Sequence, residues 1–253
     1  MRKIKRLTLT LCLLAMGLAA SAQPTPRHKL APTPPMGWMT WNLFKGDISD
    51  QLIRETADAM VENGFVEAGY KYIFIDDLWQ GGRDRHNNII PDPKKFPHGI
   101  KALADYVHSK GLKLGIYSDA AQLTCGGWTA SLGFEEQDAR TFASWGIDYL
   151  KYDYCNAPED SATARRRYKR MADALQHSGR DIVLGICEWG QRQCEEWCES
   201  VGGQLWRTSY DVRDMWKDIV GQGGMGILDI VNVTAPIAHN ARHGQWPDMD
   251  MLV

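Results

Sequence analysis

The chain has 253 residues, of which 44% are hydrophobic and 24% are charged. This length and composition are typical of a soluble globular protein with one large domain, and they exclude a fibrous or disordered chain. The formal net charge of −2 disfavours a nucleic-acid partner, which would require a basic face.

The first 22 residues have the pattern of a secretory signal. A positive segment, MRKIKR, precedes the apolar run LTLTLCLLAMGL, and the small residues ASA at 20–22 form a cleavage site. The apolar run is too short to span a bilayer comfortably. We therefore predict a signal peptide at 1–22 and an exported chain, periplasmic or secreted, with no membrane anchor after cleavage. Loss of four basic residues leaves 25 basic against 31 acidic residues.

Apolar runs and helical stripes alternate along the rest of the chain. Segments with an apolar stripe at helical spacing alternate with the predicted strands. Each of these predicted helices stops at a glycine, where the end of a helix needs a residue in the left-handed conformation. The predicted strands are 36–42, 72–76, 112–118, 148–153, 182–189, 205–211 and 245–250. The glycines that end the helices are Gly64, Gly111, Gly146 and Gly179.

Continuous apolar strands that alternate with helices predict a parallel sheet covered on its outer face. No GxGxxG follows the first buried strand and no P-loop occurs, so a nucleotide-binding doubly wound sheet is disfavoured. The pattern predicts an α/β fold of the (β/α)₈ TIM-barrel type.

Polar side chains occur where successive strands end. A single aspartate at the end of a strand is usually the N-cap of the next helix. Polar side chains at the ends of six successive strands are poorly explained by capping. In a barrel these ends meet at one rim, which holds the active site. The residues are Asp76, Asp77, Tyr117, Ser118, Asp119, Lys151, Asp153, Glu188, Trp189, Arg207, Asp211, Asp248 and Asp250, with Trp38 and Trp41 on the first strand.

The cysteines and histidines predict no metal centre. Five cysteines remain after signal cleavage, so at least one lacks a partner within the chain. Cys187, Cys194 and Cys198 with His177 match no standard zinc spacing. There is no Gly-x-Ser-x-Gly elbow and no Ser-His-Asp arrangement. We expect neither a metal nor another cofactor.

A rim of carboxylates with tryptophan, lysine and arginine on an exported barrel favours cleavage of glycosidic bonds. That reaction uses two carboxyl groups, one as nucleophile and one as general acid and base. Lys151 lies two residues from Asp153 on the same side of the strand, and we expect it to lower the pKa of Asp153. A less well paired carboxylic acid on another strand would act as the acid.

Seven ordered motifs resemble those of the family 27 glycoside hydrolases, the α-galactosidase or melibiase family. The resemblance runs from about Thr33 to Val253. The motifs are TPPMGWMTWN, FIDDLWQ, GIYSDAAQLTCGG, YLKYDYCN, CEWG, WRTSYDVRDMW and WPDMDMLV.

The resemblance implies a retaining glycosidase that releases terminal α-linked galactose through a covalent galactosyl-enzyme, with an α-galactoside as its partner. It makes Asp153 the nucleophile and Asp211 the acid/base. Cys125 and Cys155 match a disulfide beside the nucleophile, whereas Cys187 has no evident partner. The substrate-binding positions it implies are Trp41, Asp76, Asp77, Tyr117, Lys151, Glu188, Arg207 and Asp250.

The chain ends directly after the seventh motif. Residues 23–253 are therefore expected to form a catalytic barrel domain that lacks its last strand–helix unit and a C-terminal β-sandwich domain, which leaves sheet edges exposed. Three alternatives stay open: an α-N-acetylgalactosaminidase, which Glu188 disfavours, a β-L-arabinopyranosidase, which the intact Asp76-Asp77 pair disfavours, and a non-catalytic carbohydrate-binding fragment. The oligomeric state is not predicted.

Overall fold

The computed structural model describes residues 26–251 except 219, 221 and 222. The predicted signal peptide lies outside the described residues. Short 3₁₀ segments occur at Arg27–Lys29 and Ala235–Asn240. The strands are β1 (Gly37–Met39), β2 (Tyr72–Ile75), β3 (Gln80–Arg83), β4 (Ile89–Pro91), β5 (Lys113–Asp119), β6 (Tyr149–Asp153), β7 (Val183–Cys187), β8 (Leu205–Arg207) and β9 (Trp246–Asp248). The helices are α1 (Trp41–Phe44), α2 (Asp50–Glu62), α3 (Gly99–Ser109), α4 (Glu135–Trp145), α5 (Ser161–Gln176), α6 (Cys194–Val201) and α7 (Ile227–Thr234).

Seven of the strands form one parallel sheet in the order β1-β2-β5-β6-β7-β8-β9. Every predicted strand is present in it, so the predicted parallel α/β architecture is confirmed. The sheet curls so far that its two edges approach each other: Trp246 Nε1 on β9 donates to Ala31 O, in the segment ahead of β1, at 2.8 Å. Within the described residues β1 and β9 remain the two edges of this open barrel sheet.

Residues along each strand alternate between two cores, as a parallel strand buried on both faces requires. The outer core lies between the sheet and the helices and contains Ile73 and Ile75 of β2. The inner core contains Tyr72 and Phe74 from the same strand, together with Tyr149 of β6. The rings of Phe74 and Tyr149 meet edge to face with their centroids 4.8 Å apart, so aromatic side chains pack against each other on the inner face of the sheet.

Two glycines make room for these rings. A β-carbon at Gly115 of β5 would overlap the ring of Phe74, and one at Gly185 of β7 would overlap the hydroxyl of Tyr149. The inner core therefore alternates large and small residues on neighbouring strands, which is how barrel interiors reach close packing.

The helix ends also match the sequence prediction. Helix α2 begins after Ser49, whose Oγ accepts a hydrogen bond from Leu52 N at 3.1 Å. The four glycines predicted to end helices all have positive φ, between 75° at Gly64 and 88° at Gly179. At each glycine the left-handed backbone ends the helix and turns the chain toward the next strand.

One hairpin and three short helices were not predicted. Strands β3 and β4 form an antiparallel hairpin outside the main sheet, and the unpredicted helices are α1, α6 and α7. Trp41, predicted on the first strand, is instead the first residue of α1, because β1 ends at Met39. The strand predicted at 205–211 is also shorter: β8 ends at Arg207, and the last ladder hydrogen bond runs from Thr208 N to Asp248 O of β9 at 2.9 Å. Among the described residues, no helix is long and apolar enough to cross a membrane.

Arg27 anchors the start of the described chain at the amino-terminal end of the sheet. Its Nε donates to Gly202 O at 2.6 Å, and its NH2 group donates to Ile182 O at 3.2 Å and to Gln204 Oε1 at 3.1 Å. Ile182 and Gln204 directly precede β7 and β8. Burial lowers the pKa of this guanidinium to about 10 against the opposing attraction of Asp173.

Candidate active site

A cavity of about 450 Å³ opens at the carboxyl ends of the parallel strands. Seven of the ten catalytic or substrate-binding residues predicted from the sequence line it, and so do both cysteines of the predicted disulfide. The seven residues are Trp41, Asp76, Asp77, Tyr117, Lys151, Asp153 and Asp211. The strand ends thus bring together side chains that are up to 170 positions apart in sequence.

Asp153 is the last residue of β6 and is only 4% exposed. Its Oδ1 accepts from Tyr154 N at 2.9 Å, and its Oδ2 accepts from the Tyr117 hydroxyl at 3.0 Å. Burial raises the pKa of Asp153 to about 6, although Lys151, these two hydrogen bonds and Arg207 oppose the rise. The carboxyl group is therefore held in one orientation in a dry environment.

Lys151 lowers the pKa of Asp153, as predicted, but its direct partner is another carboxylate. Its ammonium group forms an ion pair with Asp76, with Nζ 2.7 Å from Oδ2, and the Lys151 side chain is 14% exposed. Its attraction does lower the pKa of Asp153, but burial outweighs it. The net pKa of Asp153 is therefore above its ordinary value, because the carboxyl group is desolvated, although Lys151 acts on it in the expected direction.

Asp211 follows β8 and is the more exposed carboxyl group, with 37% of its side chain accessible. Arg207 NH2 donates to its Oδ1 at 2.9 Å. Burial tends to raise the pKa of Asp211, but Arg207, Lys151 and Arg213 together lower it below its ordinary value. The prediction that the second carboxylic acid is less well paired than Asp153 is therefore wrong.

Asp76 and Asp77 follow β2 and form a chain of hydrogen bonds. Asp77 N donates to Asp76 Oδ1 at 2.7 Å, and both oxygens of Asp77 accept backbone N–H groups, from Leu78 at 2.7 Å and Gly126 at 2.8 Å. Burial raises the pKa of Asp77 despite these hydrogen bonds. The pair presents fixed acceptors at the cavity wall.

Cys125 and Cys155 form the predicted disulfide, which joins the loops after β5 and β6. Cys125 Sγ lies 3.4 Å from Asp153 Oδ2. These two sulfurs, Asp119 and Asp153 form the one group of potential metal ligands in the described part of the chain. Because the sulfurs are bonded to each other they are poor ligands. Cys187, Cys194 and Cys198 are free and buried.

Three predicted binding residues do not line this cavity. Glu188 is fully buried and pairs with Arg192 at 2.6 Å, and burial raises its pKa to about 7. Arg207 and Asp250 pair with each other at 3.1 Å. Both line a second cavity of about 1140 Å³, which lies between the edge strands β1 and β9 and shares Lys151 with the first cavity.

The cavity wall includes residues to which the sequence assigned no role. Most lie in the loops that follow β6 and β7, so their position after a barrel strand is the signal that could have identified them. Arg192 also lies in the loop after β7, where its backbone has a φ of 56° and its side chain pairs with Glu188. These residues are Tyr154, Asn156, Ala157, Glu159, Arg192 and Tyr210, and Trp189, predicted at the rim, also lines the cavity.

A curled parallel sheet with an acidic cavity at its carboxyl-terminal rim defines a protein of the (β/α)₈-barrel class. Comparison with known proteins identifies the family. The family model described as Alpha galactosidase A, or melibiase, matches residues 33–253. The chain therefore belongs to the α-galactosidase A (melibiase) family.

Individual relatives agree with this assignment. The chain is 47% identical over 242 residues to the α-galactosidase A of Cellvibrio japonicus, an alignment that covers 94% of this chain and 59% of the relative. The crystal structure of α-galactosidase I from Mortierella vinacea is similar, with 40% sequence identity and a TM-score of 0.84; the match covers 89% of this chain and 60% of that one. The structure of a Saccharomyces cerevisiae α-galactosidase with raffinose also has a TM-score of 0.84, at 37% identity, and the match covers 89% of this chain and 54% of that one. The chain thus spans about six tenths of the length of the curated relative.

Proposed function

We propose that this chain carries the catalytic site of a retaining α-galactosidase, which hydrolyses terminal α-linked galactose from oligosaccharides or polysaccharide side chains. The observation that supports this proposal is the convergence of Asp153 and Asp211 on one cavity with the Asp76-Asp77 pair. The family membership and the relatives named α-galactosidase agree with it. The cavity volume lies in the range of small-molecule sites.

In the first step Asp153 acts as the nucleophile. One of its oxygens attacks the anomeric carbon and forms a covalent ester as the glycosidic C–O bond breaks. The leaving oxygen takes the electron pair of that bond and the proton of Asp211. Tyr117 and Tyr154 N hold the Asp153 carboxylate in place, so little reorganisation is needed for attack.

In the second step Asp211 acts as a base. It takes a proton from water, the water oxygen attacks the anomeric carbon, and the ester bond to Asp153 breaks. Two inversions release galactose in the α configuration and return the proton to Asp211. Asp211 must be protonated for the first step, but its contact with Arg207 lowers its pKa. Arg207 should therefore determine the pH above which Asp211 is no longer protonated and activity falls.

The Asp76-Asp77 pair is proposed to select galactose through its 4- and 6-hydroxyl groups. The backbone N–H groups of Asp77, Leu78 and Gly126 fix the acceptors, and Lys151 keeps Asp76 in position. An axial 4-hydroxyl separates galactose from glucose, so rigid acceptors here discriminate between the two sugars. Trp41, at the cavity wall, is proposed to pack on the apolar face of the ring.

Export of the protein is part of the proposal. The signal pattern at residues 1–22 supports it, and the Cys125–Cys155 disulfide is typical of an oxidising compartment. Detection of a mature N-terminus at Gln23 in periplasm or medium would test it, and an unprocessed chain in the cytosol would contradict it.

Hydrolysis of a nitrophenyl α-galactoside tests the function. We expect turnover by the wild-type chain, a loss of about 10³-fold or more in Asp153→Asn and in Asp211→Asn, and unchanged turnover in Asp173→Asn. Asp173 is a matched control, because it is an exposed carboxylate on α5 that pairs with Lys169.

Substrate choice separates the remaining alternatives. A ratio of turnover that favours nitrophenyl α-galactoside over the α-N-acetylgalactosaminide and the β-L-arabinopyranoside is expected. Inactivity of wild type and Asp153→Asn alike, with galactose binding intact in both, would instead support a non-catalytic carbohydrate-binding protein.

A further inference from the structure

Asp119 lies directly beside the proposed nucleophile but does not line the cavity. It is the last residue of β5, and the strand register pairs it with Asp153, the last residue of β6. Its side chain is completely buried. One carboxylate oxygen of each residue and the two disulfide sulfurs all lie within 4.8 Å of one another. The cavity wall near Asp153 is thus supported from behind by a second carboxyl group.

The contacts of Asp119 connect the two loops that carry the disulfide. Its Oδ1 accepts from Ala121 N at 2.8 Å, in the loop that continues to Cys125. Its Oδ2 accepts from Cys155 N at 2.9 Å, two residues after Asp153. In addition, Ala120 N donates to the backbone oxygen of Asp153 at 2.9 Å. A shift of Asp119 would therefore move both half-cystines and the backbone of the nucleophile.

The two carboxyl groups also influence each other electrostatically. Burial raises the pKa of Asp119 well above its ordinary value, and the charge of Asp153 raises it further against the two backbone hydrogen bonds. Two carboxylates this close in a dry environment resist simultaneous ionisation, so their proton losses belong to the pair. The pair is surrounded by the titratable or charged side chains of Lys151, Arg207, Asp77, Glu188, Tyr117, Tyr168 and Cys187.

We propose that Asp119 is a positioning residue for the reaction: it fixes the two disulfide-bearing loops behind Asp153 and places a second carboxyl group against it. The inference rests on the proposed function, in which Asp153 is the nucleophile. Asp119 acts through Asp153 and the loops and does not touch the sugar. A purely structural aspartate, which only stabilises the turn at Ala121, would affect folding and leave the ionisation of Asp153 unchanged.

The test compares pH–rate profiles of wild type and Asp119→Asn on nitrophenyl α-galactoside. Asparagine removes the charge and offers only one acceptor oxygen for two N–H donors. We expect kcat to fall by about tenfold to a hundredfold with little change in KM, as for a misplaced nucleophile. We also expect one limb of the profile to move by about one pH unit. The acid limb moves to lower pH if Asp119 ionises before Asp153, and the alkaline limb moves to higher pH if it ionises after.

Asp138→Asn provides the matched control. Asp138 is a fully buried aspartate on α4, its pKa is raised chiefly by burial, and it pairs with Arg83 at 2.7 Å, away from the cavity. We expect it to lower the melting temperature without moving either limb. If Asp119→Asn does not fold, Asp119→Ser takes its place, since a hydroxyl can still accept from one N–H without charge.

The outcomes separate this inference from the proposed function. If the wild type does not turn over the galactoside while Asp153→Asn still binds galactose, the proposed function fails. If the wild type is active and the Asp119 variants keep both pH limbs, with losses that match those of Asp138→Asn, the positioning role is overturned and Asp119 is structural. A moved limb together with a lower kcat at unchanged KM supports the role.

Discussion

Lys151 Nζ lies 2.7 Å from Asp76 Oδ2, an ion pair that joins β6 to the end of β2 across the intervening strand β5. The ammonium group also lies 5.5 Å from the ring centroid of Tyr117, on that intervening strand. Burial tends to lower the pKa of Lys151, and attraction from Asp76 is the main influence that opposes it. The pKa of Lys151 is therefore raised well above its ordinary value. Tyr117 in turn donates to Asp153. One cation thus links the Asp76-Asp77 pair to Asp153.

Lys151→Met should therefore affect both stability and the acid limb of activity. Loss of the cation leaves the buried Asp76 carboxylate unpaired, at a cost of about 3 kcal/mol. It also removes an attraction that lowers the pKa of Asp153, so the acid limb of kcat/KM should move to higher pH. Chemical denaturation and a pH–rate profile would measure the two effects. An acid limb that stays in place would show that Lys151 has no influence on the nucleophile.

The opposite pKa directions of Asp153 and Asp211 predict opposite effects of amide substitution on folding. Asp153 has a raised pKa of about 6. The folded state therefore binds more protons than the unfolded state between pH 4 and 6, and the stability contributed by Asp153 is lost as the pH rises through that window. Asp153→Asn should be more stable than wild type at pH 7.5 by about 3 kcal/mol and similar to wild type at pH 4.

Asp211→Asn is the matched comparison. Its pKa is lowered by Arg207 and Lys151 against burial, so its contribution to stability is present above its unfolded pKa and is lost as the pH falls. The variant should be less stable than wild type at pH 7.5. Thermal unfolding at both pH values measures the difference, and equal shifts of the same sign in both variants would contradict the assignment.

Arg207 should control the alkaline limb. Its guanidinium is 2% exposed and contacts Asp211 at 2.9 Å and Asp250 at 3.1 Å. Arg207→Met removes the attraction that lowers the pKa of Asp211, so the acid stays protonated to higher pH and the alkaline limb of kcat/KM should move upward. Arg207→Lys retains the charge without the planar fork and should move the limb less. Identical limbs in all three proteins would contradict this explanation.

Gly185→Ala should destabilise the fold through the inner core. The new β-carbon would overlap the Tyr149 hydroxyl, and overpacking of this kind costs about 1–3 kcal/mol. Gly223→Ala is the control, because its β-carbon would meet Val220 at an ordinary 3.5 Å. Urea denaturation of the two variants should give a lower midpoint for Gly185→Ala alone.

The sequence predicts most of the fold because its signals are local. Apolar runs locate the seven strands of the sheet, and glycines with positive φ end the helices between them. Since parallel strands share one carboxyl-terminal rim, the gathering of Asp76, Asp153 and Asp211 follows from topology alone. The hairpin of β3 and β4 is not recognised, because QGGR and IIP carry glycine and proline instead of a strand pattern.

The pairing of charges could not be predicted in the same way. Spacing along β6 places Lys151 and Asp153 on one face but does not say which carboxylate the long side chain reaches. That choice depends on what fills the barrel interior, where Phe74 and Tyr149 occupy the space above Gly115 and Gly185. Likewise, Glu188 is outside the cavity because Arg192, five residues after the end of β7, pairs with it.

The anchoring of Arg27 to Gly202, Ile182 and Gln204 has a practical consequence for surface attachment. These partners lie at the opposite end of the sheet from the cavity. A protein tethered to a solid support just ahead of Pro26 would therefore have the support at the end of the barrel opposite the cavity, and the cavity mouth would face the solvent. Immobilised on beads by this end, the protein should admit branched polymers as freely as it does in solution, whereas coupling through lysines scattered over the surface would orient some molecules with the mouth against the bead.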